Sequence, residues 1–350
     1  MSSISLYYLI CLIMSVVCII TFIIMWNPRV SIYISVVFTL TPIIEAGYLM
    51  FSLSRDVNEA VLALKITYLG GCFSQLMILL SALFFYKINL RNWVEAALIT
   101  FGLLLYGCVL TIGYSDIFYK SVTYERTADG VVVLNKEYGP VHSVFYAMLL
   151  IYMALIVILL VYTEIRKRRD VSTKTIMIYV VMEILAMGSF FLGRAASKKI
   201  ELMAADYVVT MLAFLVILAY DNLYYVAQNA ANDHLEACGQ GFAAFDKNMN
   251  FISANKAMCE AFTEMDGLRI DKPIPAGSTP FFRIISEWFE LLDRTGQEHT
   301  YEYEQDDKQY SITIGSLKSG RKNLGYTVAA TDMTLARKYA NLLAQSGNKQ

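Results

Sequence analysis

The sequence predicts an α-helical membrane bundle of seven transmembrane helices, followed by a small α+β domain with a five-stranded antiparallel sheet. Of the 350 residues, 57% are hydrophobic and only 17% are charged, whereas soluble domains carry about 25% charged residues. The charges are also unevenly distributed. Residues 1–226 hold 16 basic and 14 acidic side chains, whereas the shorter remainder, residues 227–350, holds 13 and 16. The first part therefore has the composition of a membrane region and the second that of an ordinary globular domain.

Long runs with almost no charge mark the membrane helices. A bilayer core of about 30 Å needs about 20 apolar residues in a helix that rises about 1.5 Å per residue. Seven runs meet this requirement, at residues 4–26, 30–53, 66–86, 96–115, 138–163, 175–193 and 207–225. Glu45 interrupts the second run, Glu183 the sixth and Asp221 the seventh. The sequence therefore predicts a bundle of seven membrane helices over residues 1–226.

The basic residues of the loops predict the orientation of this bundle, because short cytoplasmic loops are enriched in Lys and Arg. The strongest determinant is a run of four basic residues, 166–169, after the fifth predicted span. Placing that loop inside puts the N-terminus outside and the C-terminal part in the cytoplasm. We therefore expect a multi-pass protein of the cytoplasmic membrane, in contact with membrane lipids.

The one long loop of the membrane part, between the fourth and fifth spans, has the pattern of a β-hairpin. Two β-branched runs flank an Asp129-Gly130 turn, and Asp-Gly accepts the positive φ angles that such turns require. The sequence predicts a small extracellular hairpin over about residues 121–136. It would act as a structural cap or as a lid over a ligand.

Beyond the last span the pattern changes from helical to mixed. Residues 227–237 favour a helical linker that continues the seventh span. Five strand-like runs follow, at residues 241–246, 250–254, 299–304, 309–316 and 324–331. Helical runs begin at Asn255 and cover residues 281–293, the latter with one apolar face made of Phe282, Ile285, Phe289 and Leu292. This order predicts one α+β domain over residues 238–334. A short helix at 335–350 would then either lead to an output module or fold back on the sheet.

Several short motifs give the chain a family resemblance. The C-terminal domain, which closes on Asp332-Met333-Thr334, resembles a PAS domain. The first 226 residues resemble the seven-transmembrane N-terminal sensor region of bacterial histidine kinases and of related diguanylate cyclases. The likeness lies in Glu45 within the second span, Tyr68-Leu69-Gly70, Tyr138-Gly139-Pro140 and Asp206 at the head of the seventh span. The resemblance implies a membrane signal sensor of a two-component system.

The output domain expected after such a sensor has no signature in the chain. There is no GGDEF-type turn, Gly-rich ATP lid or GxxxxGK[ST] loop, and His234 lacks the basic residue and proline that follow a phosphoacceptor histidine. We therefore expect no enzyme activity and no catalytic residue. The chain would relay its stimulus to a separate kinase or cyclase, as a homodimer or a heteromer with that partner. One alternative is a remnant or fragment of a fused histidine kinase or diguanylate cyclase, and another is a transporter with a regulatory domain.

Five polar side chains of the membrane part are candidates for a ligand site. Ionisable groups inside a span are costly and generally face the bundle interior. Glu45, Glu183 and Gln75 would line a pocket suited to a cation or amine, and Arg194 would meet Asp206 near the outer surface. The alternative role of these groups is to hold the helices together through hydrogen bonds.

No cofactor, metal or nucleic acid is expected. The three histidines are far apart and no Cys/His cluster has zinc spacing. Residues 207–226 contain no lysine, which excludes a retinal Schiff base in the last span. A formal net charge of −1 offers no basic surface for nucleic acid.

Overall fold

The computed structural model describes residues 2–26, 30–127, 130–165, 172–196, 200–232, 239–275, 279–319 and 322–347. The predicted Asp129, the basic run 166–169 and His234 lie outside these ranges. The chain forms two compact units. One holds residues 1–168 and 175–219, and the other holds residues 169–174 and 220–350.

The described part of the membrane unit contains seven helical segments that are long and apolar enough to cross a bilayer. The first three spans are α1 (Ser3–Met25), α2 (Ile32–Leu53) and a composite span made of α3 (Val57–Leu69), a π-helical turn (Gly70–Ser74) and α4 (Gln75–Phe85). The remaining four are α5 (Asn92–Leu110), α6 (Pro140–Ile165), α7 (Thr173–Ala196) and α8 (Met203–Asn232). The predicted seven-span architecture is confirmed.

The third span and the last span begin earlier than the sequence predicts. The third span begins at Val57 rather than at residue 66, because the Asp56 carboxylate accepts hydrogen bonds from the backbone N–H groups of Asn58 and Glu59 at 2.8 and 2.9 Å. Such an N-cap stabilises the first turn of a helix. The last span begins at Met203 and α8 runs without a break to Asn232. Charged residues near these ends interrupt the uncharged runs, so the apolar pattern does not include the first turns of the two helices.

The loop between α5 and α6 forms a two-stranded antiparallel hairpin, with β1 at Tyr119–Arg126 and β2 at Val132–Tyr138. The hairpin therefore extends two residues beyond each end of the predicted range 121–136. The Tyr124 hydroxyl donates a hydrogen bond to the Ser54 carbonyl at 2.9 Å, which ties the hairpin to the end of α2. The hairpin is thus attached to the bundle rather than free.

The C-terminal domain contains a five-stranded antiparallel sheet in the order β4-β3-β7-β6-β5. Its strands are β3 (Gly241–Asp246), β4 (Phe251–Ala254), β5 (His299–Gln305), β6 (Lys308–Ser319) and β7 (Lys322–Asp332). The helices are α9 (Lys256–Ala261), a 3-10 turn (Thr263–Gly267), α10 (Pro280–Thr295) and α11 (Thr334–Gly347). The predicted sheet is confirmed.

One apolar face of α10 provides much of the core of this domain. Phe282, Ile285, Phe289 and Leu292 are all buried, as the helical spacing predicts, and Phe289 stacks on Tyr326 of β7 with ring centroids 4.4 Å apart. The helical run predicted from Asn255 is shorter than expected. Asn255 caps α9, which ends after six residues because Phe262 adopts an extended backbone.

The Asp-x-Thr sequence at the end of the sheet makes a defined turn into α11. The Asp332 carboxylate accepts the backbone N–H of Thr334 at 2.9 Å, and the Thr334 hydroxyl accepts the backbone N–H of Gln309 at 3.0 Å. These bonds to Thr334 hold the pKa of Asp332 below its usual range. The Leu335 and Tyr339 side chains of α11 are exposed, so that face of the helix does not pack on the sheet.

Gly325 allows β3 and β7 to pair closely, and replacing it tests the sheet. A Cβ at this position would lie 2.0 Å from the backbone oxygen of Phe245. We expect Gly325→Ala to lower the thermal midpoint of the domain by about 5 °C or more. The measurement follows the emission of Trp288 in full-length chains in which Trp26 and Trp93 are replaced by Phe. Gly267→Ala is the control, because a Cβ there meets nothing within 4 Å; equal midpoints for both variants would contradict the close pairing.

Candidate functional site

A cavity of about 570 Å³ lies inside the membrane unit. Its walls come from α1, α2, the composite third span, the hairpin, α6, α7 and the start of α8. Most of its lining side chains are aromatic or aliphatic, among them Tyr8, Tyr48, Tyr68, Tyr119, Tyr138, Phe145, Tyr146, Phe190 and Tyr207. This volume and an apolar wall with few polar groups are typical of pockets for small molecules.

The π-helical turn of the third span forms one wall. Gly70, Gly71 and Ser74 of this turn all line the cavity. A Cβ on Gly70 would lie 2.5 Å from the Tyr207 hydroxyl oxygen, and a Cβ on Gly71 would lie 2.7 Å from the Phe145 ring. Glycine at both positions therefore lets the third span approach α6 and α8 closely. Single π turns of this kind are frequent at functional sites.

Aromatic side chains from the hairpin, the third span and α6 contact one another in the cavity wall. The Tyr68 and Tyr119 hydroxyls are hydrogen-bonded to each other. Tyr138 stacks on the buried His142 ring with centroids 4.1 Å apart, and Tyr146 meets the same ring edge-on at 4.2 Å. These contacts join β1, β2, α3 and α6 into one aromatic cluster.

Gln75 and Glu183 are brought together although 108 residues separate them. The Gln75 side-chain Nε2 donates to both carboxylate oxygens of Glu183, at 3.1 and 3.0 Å. Gln75 lines the cavity, whereas Glu183 lies behind it and is buried. The structure therefore brings two of the candidate residues together, with Gln75 as the residue that faces the cavity.

Asp206 lines the cavity from the first turn of α8. Its side chain is only 7% exposed, and its carboxylate has no hydrogen-bond or ion-pair partner among the described residues. The predicted partner, Arg194, belongs to α7, but its side chain lies outside the described residues. The pairing of Arg194 with Asp206 stays a prediction.

Glu45 does not line the cavity, contrary to the expected pocket of Glu45, Glu183 and Gln75. It is fully buried in α2, and neither carboxylate oxygen has a hydrogen-bond partner within the described ranges. The neighbouring Ile44 and Tyr48 pack with Tyr8 and Tyr207 in a cluster between α1, α2 and α8, and the three tyrosines of this cluster line the cavity. Pro42, one turn before Glu45 in α2, was not part of the prediction.

Seven tyrosines of the cavity wall were not predicted as a site. Tyrosine is grouped with the hydrophobic residues in the composition, so these rings could not be distinguished from lipid-facing or core residues. The available signal was the family resemblance itself. Three of its positions, Tyr68, Gly70 and Tyr138, together with Asp206, line the cavity.

Seven apolar helical spans that enclose a ligand-sized aromatic cavity between six of them, followed in the chain by a globular domain, are the architecture of a multi-pass membrane protein. The family model of the N-terminal 7TM region of histidine kinase matches residues 10–227, more than half of the chain. The chain therefore belongs to this family, as the resemblance implied. Its membrane unit is a non-catalytic sensing module of the histidine kinase type.

Two solved structures are similar to parts of the chain. A domain of an HTR-like protein from Haloarcula marismortui is 17% identical, with 27% of this chain and 99% of that chain covered and a TM-score of 0.23. The sensor region of a sensor histidine kinase is 15% identical, with 62% of this chain and 84% of that chain covered and a TM-score of 0.23. No curated protein matches the chain. The assignment to the family rests on the family model.

Replacing Gly70 tests the close contact between the π turn and α8. We expect Gly70→Ala to lower the thermal midpoint of the full chain, because the buried Tyr207 ring must move. Gly70→Ala combined with Tyr207→Phe should regain part of the loss, since the hydroxyl oxygen is the nearest atom. Gly107→Ala in α5 is the control, with nothing within 4 Å of the added Cβ. A loss as large in the control would rule out the contact as the cause.

The Gln75–Glu183 pair can be tested by removing one partner or both. Gln75→Leu leaves a buried carboxylate without its donor, which we expect to cost about 1–3 kcal/mol. Adding Glu183→Met should recover most of this loss, because replacing both partners by apolar groups is often nearly neutral. The measurement is the thermal midpoint of the full chain in lipid nanodiscs. If the double variant is less stable than Gln75→Leu, the pair does not account for the effect.

Proposed function

We propose that this chain is a membrane signal-sensing protein whose stimulus is a small molecule bound in the cavity. One observation carries the proposal. The cavity-lining residues of α8 are Met203, Asp206, Tyr207 and Thr210, and spacings of three and four residues place them on a single helical face. A bound molecule would therefore contact one side of α8 and displace that helix.

The continuity of α8 supports a relay. Its apolar segment ends at Tyr220 but the helix continues to Asn232. The first strand of the C-terminal domain begins soon afterwards in the sequence, at Gly241. A packed helix changes between discrete arrangements rather than bending continuously. A shift at Asp206 would in this way reach the C-terminal domain, which we propose to be a PAS-like domain.

The proposed division of the chain keeps the predicted boundaries. These are the sensor region at residues 1–226, the linker at 227–237, the PAS-like domain at 238–334 and the signalling helix at 335–350. An odd number of spans puts the two termini on opposite sides of the membrane. The positive-inside rule then favours an outside N-terminus. In that orientation the hairpin residues Lys136 and Tyr138, which line the cavity, face the extracellular side.

The proposed output is a separate kinase or cyclase, bound by a homodimer or a heteromer. Membership in a histidine kinase sensor family supports a signalling partner of this kind. The exposed Leu335 and Tyr339 of α11 lie four residues apart on one helical face, which supports a helix that extends toward a partner rather than one folded onto the sheet.

A cavity-filling variant tests the proposal. The full chain in nanodiscs is screened with a library of soluble small molecules by thermal shift. We expect compounds that stabilise the protein to lose this effect in Ser189→Phe, because Ser189 lines the cavity and the added ring occupies it. Leu185→Phe on the same helix is the matched control, since Leu185 is exposed on the bundle surface and adds the same ring outside the cavity.

The fluorescence emission of Trp288 tests the relay. This side chain stacks on Tyr301 within the C-terminal domain with ring centroids 4.0 Å apart. In the chain with Trp26→Phe and Trp93→Phe, a compound that needs the open cavity should also change Trp288 emission. Stabilisation that persists in Ser189→Phe would place binding elsewhere. Cavity binding that leaves Trp288 emission unchanged would contradict the relay, and compound flux across proteoliposomes would instead support a transporter.

A further inference from the structure

The charged groups of the cavity wall are unbalanced. Among the described lining residues three are charged, namely Lys136, Glu201 and Asp206, so two carboxylates face one ammonium. Asp206 is the most consequential of the three because it is 7% exposed and its carboxylate has no partner in the described part of the chain. A buried ionised group without a partner is costly. A ligand of opposite charge would remove that cost.

Lys136 does not provide the missing partner. It lies on β2, with its Nζ 5.9 Å from the centroid of the Tyr119 ring, and Glu201 is the acidic residue whose charge acts on it. Burial lowers the pKa of Lys136 below its usual range, and the attraction of Glu201 only opposes this effect. The charge of Glu201 thus acts on Lys136, whereas no cation among the described residues is paired with the Asp206 carboxylate.

Two uncharged polar groups of the same cavity wall are also acceptors. An ionised Glu183 carboxylate can only accept hydrogen bonds, so the Gln75 amide directs its Nε2 toward Glu183. The Gln75 side-chain carbonyl oxygen then remains as an acceptor without a partner among the described residues. The Ser74 hydroxyl next to it is buried and has no hydrogen-bond partner there either. Ser74, Gln75 and Asp206 all line the same cavity. They can accept several hydrogen bonds from one donor-rich group.

The aromatic wall favours the same kind of ligand. Tyr68, Tyr146 and Tyr207 line the cavity together with Phe145 and Phe190. The faces of such rings carry partial negative charge and attract cations within about 6 Å, more strongly when water is excluded. An anionic ligand would meet these ring faces and the Asp206 carboxylate at once.

We propose that the cavity binds an organic amine in its protonated form, with the ammonium directed to Asp206, Gln75 and Ser74 and the carbon skeleton among the aromatic rings. This inference rests on the proposed function, because it names the ligand class of the same cavity. About 570 Å³ accommodates a molecule of the size of an aromatic or aliphatic monoamine with room for a larger body. Both charge and donor count distinguish this class from neutral and acidic ligands.

Three probes that share a para-hydroxyphenyl ring and differ in the charge of its side chain test the ligand class. They are tyramine, its neutral analogue para-ethylphenol and its anionic analogue para-hydroxyphenylpropanoate, titrated against the full chain in nanodiscs of zwitterionic lipid. We expect tyramine to bind at least tenfold more tightly than the neutral probe and the anion to bind most weakly. Asp206→Asn should weaken tyramine about tenfold and leave the neutral probe unchanged. Asp116→Asn, an exposed carboxylate outside the cavity lining, is the control and should have no effect.

The outcomes separate the ligand class from the proposed function. If the neutral or anionic probe binds as tightly as tyramine and Ser189→Phe abolishes that binding, the cavity is a binding site and the amine assignment is wrong. If tyramine binds Ser189→Phe and the unmodified chain equally, its site is outside the cavity and both proposals fail. Failure of tyramine and of the larger tryptamine to bind at millimolar concentration would overturn the amine assignment alone, provided that other compounds still require the open cavity.

Discussion

The rotation of the membrane helices is fixed by the carboxylates that they carry. In hydrocarbon a carboxylate has neither water nor counter-ions, so Glu45 of α2, Glu183 of α7 and Asp206 of α8 must face the protein interior. All three are buried. Their orientation determines which apolar faces meet lipid, and it brings Gln75 of the third span to Glu183. The bundle is therefore organised from the inside, by a few polar groups, rather than by its much larger apolar surface.

The cavity follows from two further features of the same interior. Glycines of the third span remove the side chains that would otherwise separate it from α6 and α8, while tyrosines of seven different elements supply rings to the cavity wall. Tyrosine also has a hydroxyl that needs a partner when buried, and the bond between the Tyr68 and Tyr119 hydroxyls meets this need within the wall. The result is a pocket that is apolar in most of its surface and polar at defined points.

Composition and periodicity predicted the seven spans and the antiparallel sheet, because both depend on long apolar runs or on regular alternation. They predicted the buried face of α10 for the same reason. They could not predict the start of the third span, since Glu59 and Lys65 break the apolar run that Asp56 caps. Gln75, Glu183 and Asp206 were recognised as candidates by their polarity inside spans. Which of them would face a cavity depended on helix rotation, and that is set by contacts between residues far apart in the sequence.

The π turn has a consequence for how the third span meets its surroundings. A turn with one extra residue shifts the angular position of everything after it by about 100°, the rotation of one residue in an α-helix. Before the turn, α3 packs against α2 and α5; after it, α4 packs against α2 and α6. Without this rotation, the side chains of either α3 or α4 would not point toward the helices that they contact. The span therefore crosses the bilayer as one apolar segment, but it packs against its neighbours as two short helices that are rotated relative to each other.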